Sequence, residues 1–258
     1  MSSVISVAKK DVMRLYLIAL QFLTIIPIPC DTRCQKEDLG RASALFPLAG
    51  LTIGGLLLSL NWLLAPWFPR SLVAALLVTA MAALTGALHL DGLADTADGM
   101  AARGDRERFL RVMKDSHVGA AGAVALALGL LLKWQTLLAV PAENFWQALL
   151  LFPLLGRFSQ TLALSGAAHA RSDGLGAAII QGMGRWQLLA AFVSTLAVCL
   201  LVLPLKGCLA LGAVYGLTLL VKGYFQHRLG GLTGDIIGCI NELSEIMALL
   251  VLAAGPRA

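Results

Sequence analysis

The chain's 258 residues are 58% hydrophobic and only 14% charged, with a mean hydropathy of +0.80. That balance excludes an ordinary soluble domain, and because long apolar runs carry it rather than alternating residues, it also excludes a membrane β-barrel. The net charge of +5 suits loops that face anionic lipid and anionic substrates, while the scatter of basic residues over many short loops gives no nucleic-acid surface.

Apolar segments lie at residues 12–28, 43–65, 71–90, 118–140, 145–165, 186–203, 208–221 and 236–253. They predict an all-α fold: one polytopic transmembrane bundle of seven or eight helices with short loops, forming a single integral membrane domain over 1–258. The first segment follows Lys9, Lys10 and Arg14 as a signal peptide would. It ends in Pro27-Ile28-Pro29 with no small-x-small cleavage pattern, so it is expected to stay in the mature protein. Short and broken by proline, it is expected to lie along the interface or re-enter rather than cross fully.

The run 71–90 carries no charge from Ser71 onward and is long enough to cross a bilayer, at about 20 residues for about 30 Å. Pro66, Pro69, Pro141 and Pro204 punctuate turns, and Trp62, Trp67, Trp134, Trp146 and Trp186 stand near segment ends, where amphipathic rings favour the interface. The pairs Gly50/Gly54, Gly212/Gly216 and Gly234/Gly238 would let helices approach closely. Cys30 and Cys34 form a lone C-x3-C, and Cys199, Cys208 and Cys239 sit in apolar segments, where a thiol packs as a small hydrophobe.

Alternate connections share one side of a bundle. Loops 30–42, 91–117, 166–185 and 222–235 hold Arg33, Lys36, Arg41, Arg103, Arg106, Arg108, Arg111, Lys114, Arg171, Arg185, Lys222 and Arg228. The other side, excluding the N-terminus, holds Arg70, Lys133, Lys206 and Arg257; Lys9, Lys10 and Arg14 fall on the wrong side of this count unless the first segment fails to cross. The positive-inside rule therefore puts the charged loops in the cytoplasm.

On that side stands the stretch from His89 to Arg103. Asp91, Asp95 and Asp98, at i, i+4 and i+7, fall within roughly 60° on a helix, one acidic stripe. Carboxylates about 5 Å apart repel by roughly 3 kcal/mol at an effective dielectric near 20, so the trio should gather protons or cations. A second acidic element follows near the C-terminus, where Asp235, Glu242 and Glu245 span roughly 80° of arc and the two glutamates lie inside an apolar segment. Two such helices face to face would supply six oxygen-donor groups, enough for a pair of hard divalent cations.

Opposite charges lie between them. Arg157 interrupts an apolar run and should pair with an acid or a phosphate. Lys133 stands near a segment end and can snorkel. Arg103, Lys114, Arg171 and Arg228 are in the charged loops, and Arg106, Arg108 and Arg111, interleaved with Asp105 and Glu107, read as the polar face of a short interfacial helix. Asp115-Ser116 opens the approach to the next span, from which the Asp could reach back to the metals. Gly92, Gly99, Gly231 and Gly234 clear space for a pyrophosphate beside the acids, and His89 can position a hydroxyl, act as a base, or be a core hydrogen-bonded residue.

Acids, basic loops and no nucleophilic Ser or Cys arrangement suggest displacement at phosphorus or loss of pyrophosphate from an allylic carbon. Asp95-x2-Asp98-Gly99-x2-Ala102-Arg103 matches the opening of the CDP-alcohol phosphotransferase motif. The match then fails, with Val112 in the Gly position, Asp115 one residue early and no further Asp. An ion-coupled transporter is the competing class, although its acids belong at the bilayer midplane rather than at one mouth.

The chain resembles the cobalamin synthase family (adenosylcobinamide-GDP ribazoletransferases) much more closely. The resemblance rests on Thr85-Gly86, His89-Leu90-Asp91-Gly92-Leu93-Ala94-Asp95-Thr96-Ala97-Asp98-Gly99, Lys114-Asp115-Ser116 with Gly119, the stretch 171–176, and Gly230-Gly231-x-Thr233-Gly234-Asp235-x2-Gly238-x3-Glu242-x2-Glu245. Phe46-Pro47-Leu48 with Gly50, Lys133 and Arg157 also fit, and order and spacing agree from about residue 20 to 250. The resemblance implies a magnesium-dependent membrane enzyme that joins adenosylcobinamide-GDP to α-ribazole or its 5′-phosphate and releases GMP. It implies metal ligands among Asp91, Asp95, Asp98, Asp235, Glu242 and Glu245, and one of these or His89 as base. Substrate contacts are expected from Gly92, Gly99, Arg103, Lys114, Asp115, Ser116, Arg157, Arg171, Thr233 and Gly234. Membrane lipid and a homo-oligomer complete the expected partners.

Overall fold

The computed structural model describes residues 2–28, 36–168, 170 and 182–255. Among them the helices are α1 (Ser2–Leu23), α2 (Lys36–Ala42), α3 (Phe46–Leu64), α4 (Arg70–Leu84), α5 (Leu88–Ala101), α6 (Arg106–Val112), α7 (Ala120–Ala139), α8 (Phe145–Leu164), α9 (Arg185–Val202), α10 (Pro204–Leu229) and α11 (Gly234–Ala253). The all-α expectation holds. Among the described residues five helical stretches are long and apolar enough to cross a membrane: Asp38–Leu64, which runs through α2 and α3, and then α7, α9, α10 and α11. A sixth is added if the bent pair α4 and α5 is one span.

That count is below the seven or eight expected, for two physical reasons. The run 71–90 is not one helix: the chain turns by 88° between α4 and α5, with Gly86 and Ala87 both left-handed at φ 59° and 57°. The 15 residues of α4 reach only about 22 Å at 1.5 Å per residue. The second reason is α8, which carries Arg157, Ser159, Gln160 and Thr161, all buried. It is the central helix, packed against α3, α9, α10 and α11, and a helix shielded from lipid on every side needs no apolar surface. The 22-residue α1, which carries Lys9, Lys10, Asp11 and Arg14, is not among the apolar spans either. Its Arg14 pairs with Asp38 at 2.6 Å, and its Phe22 stacks on Phe46 with centroids 5.8 Å apart.

Glycine sets the closest helix contacts. A Cβ on Gly50 would run into the backbone of Pro153 and Leu154, and one on Gly54 into that of Leu149 and Leu150. Pro153 lacks the N–H that would bond the Leu149 carbonyl, and Gly54 covers that carbonyl. The Gly212/Gly216 pair has nothing within 4 Å and makes no such contact.

Contacts separate two ends of the bundle. At one end Arg70 donates to the Val140 carbonyl and Lys206 to that of Leu252. At the other, Arg106 ties α6 to the carbonyls of Leu229 (2.7 Å) and Ala170 (2.5 Å), and Lys222 bonds the Ser165 carbonyl. The second end holds the start of α11 and the cavity described next.

Candidate active site

The two acidic helices cross each other. A Cβ on Gly92 of α5 would lie 2.5 Å from the Asp235 carbonyl oxygen, and one on Gly238 of α11 would lie 3.3 Å from the His89 Cα. Only residues without side chains allow backbones this close, so Gly92 and Gly238 fix how the helices register. Thr233 starts α11 by accepting from the Ile236 N–H at 3.2 Å, after Gly230 ends α10 at φ 72°. The sequence 230–235 is thus first a helix stop and then a helix start.

This register brings His89, Asp91, Gly234 and Asp235 to one cavity of about 200 Å³, closed by Phe22, Phe46, Leu88, Gln160, Leu164, Ile237 and Gly238. Asp91 is exposed and Asp95, one turn on, is half-buried.

Asp98 serves a different neighbour. Its two oxygens accept from the N–H groups of Gly119 and Gly122, each at 2.8 Å. Helix α7 begins without a side-chain cap of its own, so the carboxylate on α5 satisfies its first donors. A Cβ at either glycine would strike that carboxylate.

The expected pooling of six carboxylates is not what the structure builds. Glu242 and Glu245 point instead to two cations. Lys133 Nζ donates to Glu242 Oε2 at 2.7 Å and Glu245 Oε2 at 2.6 Å, and Arg157 Nη1 donates to Glu245 Oε1. All four residues are buried, and two positive charges balance two negative ones. Lys133 therefore does not snorkel, and Arg157, fully buried, takes an acid and not a phosphate in this arrangement. Gly156 makes room, since a Cβ there would meet Glu245 and Asn241. Among the described residues no three His, Cys, Asp or Glu side chains stand together as a ready metal cage.

Uncharged amides link this quartet to the cavity. Asn241 Nδ2 donates to Glu245 Oε1 at 3.1 Å, Gln160 Nε2 to Asn241 Oδ1 at 3.0 Å, and the same Gln160 nitrogen lies 2.6 Å from His89 Nε2. Neither amide stands out in the sequence, because an Asn or Gln within an apolar run carries no periodic signal.

Comparison with known proteins decides the family. Residues 15–253 match the cobalamin-5-phosphate synthase family. Relatives include an "adenosylcobinamide-GDP ribazoletransferase" from Geotalea daltonii, 53% identical over 94% of this chain and 98% of its own. Proteins of the same name from Pseudomonas syringae and Acetivibrio thermocellus are 41% and 36% identical, over 92% and 91% of this chain and 97% and 95% of theirs. No solved structure matches.

The chain belongs to the cobalamin-5-phosphate synthase family. It is accordingly a transferase of cobalamin synthesis and a multi-pass membrane protein, as the resemblance in the sequence implied. In this synthase Arg103, Lys114, Asp115 and Ser116 lie exposed on the connection between α5 and α7, beside the cavity's end of the bundle but not in its lining. Asp115 accepts from the His117 ring at 2.7 Å and from its backbone N–H at 3.0 Å. The ring and backbone hydrogen bonds hold the Asp115 carboxyl below its ordinary range. Gly99 opens space for α6, since a Cβ there would lie 3.0 Å from Phe109 and Met113. Arg228 is held over the Phe109 ring, 5.3 Å from its centroid, and bonded to the Tyr224 hydroxyl at 2.5 Å. Arg171, Cys30 and Cys34 lie outside the described residues.

Proposed function

We propose that this synthase joins adenosylcobinamide-GDP to α-ribazole, or to its 5′-phosphate, with the reacting diphosphate at the cavity between α5 and α11 and the bulk of both substrates outside it, the cavity opening to the cytoplasm. A ribazole hydroxyl oxygen attacks the phosphorus attached to the cobinamide, the bond to the GMP oxygen breaks, and GMP leaves with that oxygen. The names of the relatives support the substrates, and the basic loops at the cavity's end support the orientation. The observation that carries the reading is the convergence of Asp91 and Asp235, from two separate helices, on one cavity wall.

Magnesium fits the outer acids. It is commonly held by one or two carboxylates together with the phosphates of a substrate, not by an all-protein cage. Asp91 and Asp235, with Asp95 one turn away, offer such hard oxygen donors at the cavity, and Glu242 and Glu245 lie deeper, with Lys133 and Arg157. When bound, the ion neutralises diphosphate charge and eases departure of the leaving group. The chain's own part is to hold the diphosphate against the start of α11 and to accept the hydroxyl proton on a cavity carboxylate, while Phe22, Phe46, Leu88 and Ile237 limit access of water.

Purified protein in detergent, incubated with adenosylcobinamide-GDP and α-ribazole, tests this directly. GMP should appear in the presence of magnesium and cease on chelation. A folded preparation that releases no GMP refutes the reading.

A further inference from the structure

The hydrogen-bond chain from the buried quartet to the cavity has one consistent direction. Glu245 is paired with Lys133 and Arg157 and can only accept, so Asn241 must turn its NH2 toward it. The Asn241 oxygen then faces Gln160 and requires a donor, which is the Gln160 NH2 at 3.0 Å. That nitrogen has two hydrogens; the second points at His89 Nε2, 2.6 Å away. His89 Nε2 is therefore an acceptor, and the ring proton sits on Nδ1. Nδ1 is buried and has no hydrogen-bond partner in the protein, although His89 forms part of the cavity wall. An unmatched buried donor at a cavity is unfavourable until a ligand brings an acceptor.

We propose that Gln160 and Asn241 are positioning residues that hold His89 with its proton on Nδ1, so that His89 donates a hydrogen bond to a substrate oxygen and does not serve as the base. The sequence left His89 open between positioning a hydroxyl, acting as base and packing in the core; the amide relay selects the first kind of role, that of a fixed donor. The inference rests on the transferase reading for the identity of the substrate oxygen, but the tautomer does not depend on it.

The test begins without substrate. Protein labelled with 15N-histidine is examined by NMR in detergent micelles, with His89→Asn identifying the His89 signals. The wild-type ring should carry hydrogen on Nδ1 and none on Nε2; hydrogen on Nε2 overturns the proposal whatever reaction the enzyme performs. Gln160→Glu, whose carboxylate can only accept, should move the proton to Nε2 and lower kcat about a hundredfold with little change in KM. An unchanged tautomer in a folded Gln160→Glu protein also overturns it. The amide nitrogen of Asn takes the place of Nδ1 and that of Gln the place of Nε2, so His89→Asn should keep about tenfold more turnover than His89→Gln. Equal activity in the two refutes the donor role.

Discussion

The two acidic groups of this chain share a helix pair and differ in what faces them. Glu242 and Glu245 meet Lys133 and Arg157 in a sealed interior where the charges cancel, while Asp91 and Asp235 border a cavity with room for a ligand. An acid surrounded by fixed cations fixes helix positions, and an acid beside open space is suited to chemistry. Depth in an apolar segment alone does not separate the two, because the most deeply buried acids here are the ones paired with Lys133 and Arg157.

The sharpest break between the regions is expected from Asp91→Asn. Turnover should fall on the order of a thousandfold while the melting temperature in detergent stays at the wild-type value; ordinary activity would remove Asp91 from the site. Lys133→Met should do the reverse, costing about 3–5 kcal/mol of stability by leaving two buried carboxylates short of a cation. Adding Glu242→Gln removes the excess charge and should restore part of that loss, leaving Arg157 and Glu245 as a matched pair. No recovery in the double variant's thermal melt would mean that charge balance is not what holds the interior.

Gly92→Val, whose side chain has no space beside the Asp235 carbonyl, should destabilise by about 1–3 kcal/mol. It should also lower activity, because the Asp91 and Asp235 carboxylates no longer register across the cavity. Asp98→Ala removes the acceptors at the start of α7 and should cost about 1 kcal/mol. A loss of turnover far larger than that stability change accounts for would move Asp98 from the structural group to the catalytic one. The smallest effect belongs to Asp115, which lies fully exposed. Its carboxyl is held below the usual range by His117, so its modest contribution is present above the unfolded carboxylate pKa and disappears as pH falls through the lower folded value. An NMR titration of Asp115 should lose the ring's share of its downward displacement in His117→Ala and keep the share that the backbone N–H of residue 117 supplies.

Much of this was legible in the sequence. Apolar runs gave the all-α membrane bundle, and the carboxylate spacing gave two acidic faces that do meet, through Gly92 and Gly238. Helical spacing fixes which residues share a face but not which neighbour that face meets, so spacing alone groups Glu242 and Glu245 with the aspartates, while the fold sets them against Lys133 and Arg157. The turn at Gly86 and Ala87 was hidden because an uncharged run looks the same whether it is straight or bent. The role of Asp98 did leave a trace: Gly119, with no side chain to cap with, holds the position before α7, so the helix's first N–H groups need an acceptor from elsewhere.

The bend between α4 and α5 has an electrostatic consequence. Because the acidic helix begins afresh at Leu88 instead of continuing α4, its opening turn, like that of α11, borders the cavity. Peptide dipoles make each such turn partly positive. Two of them beside one small chamber favour negative charge there, which would ease the approach of the proposed diphosphate to carboxylates that otherwise repel it.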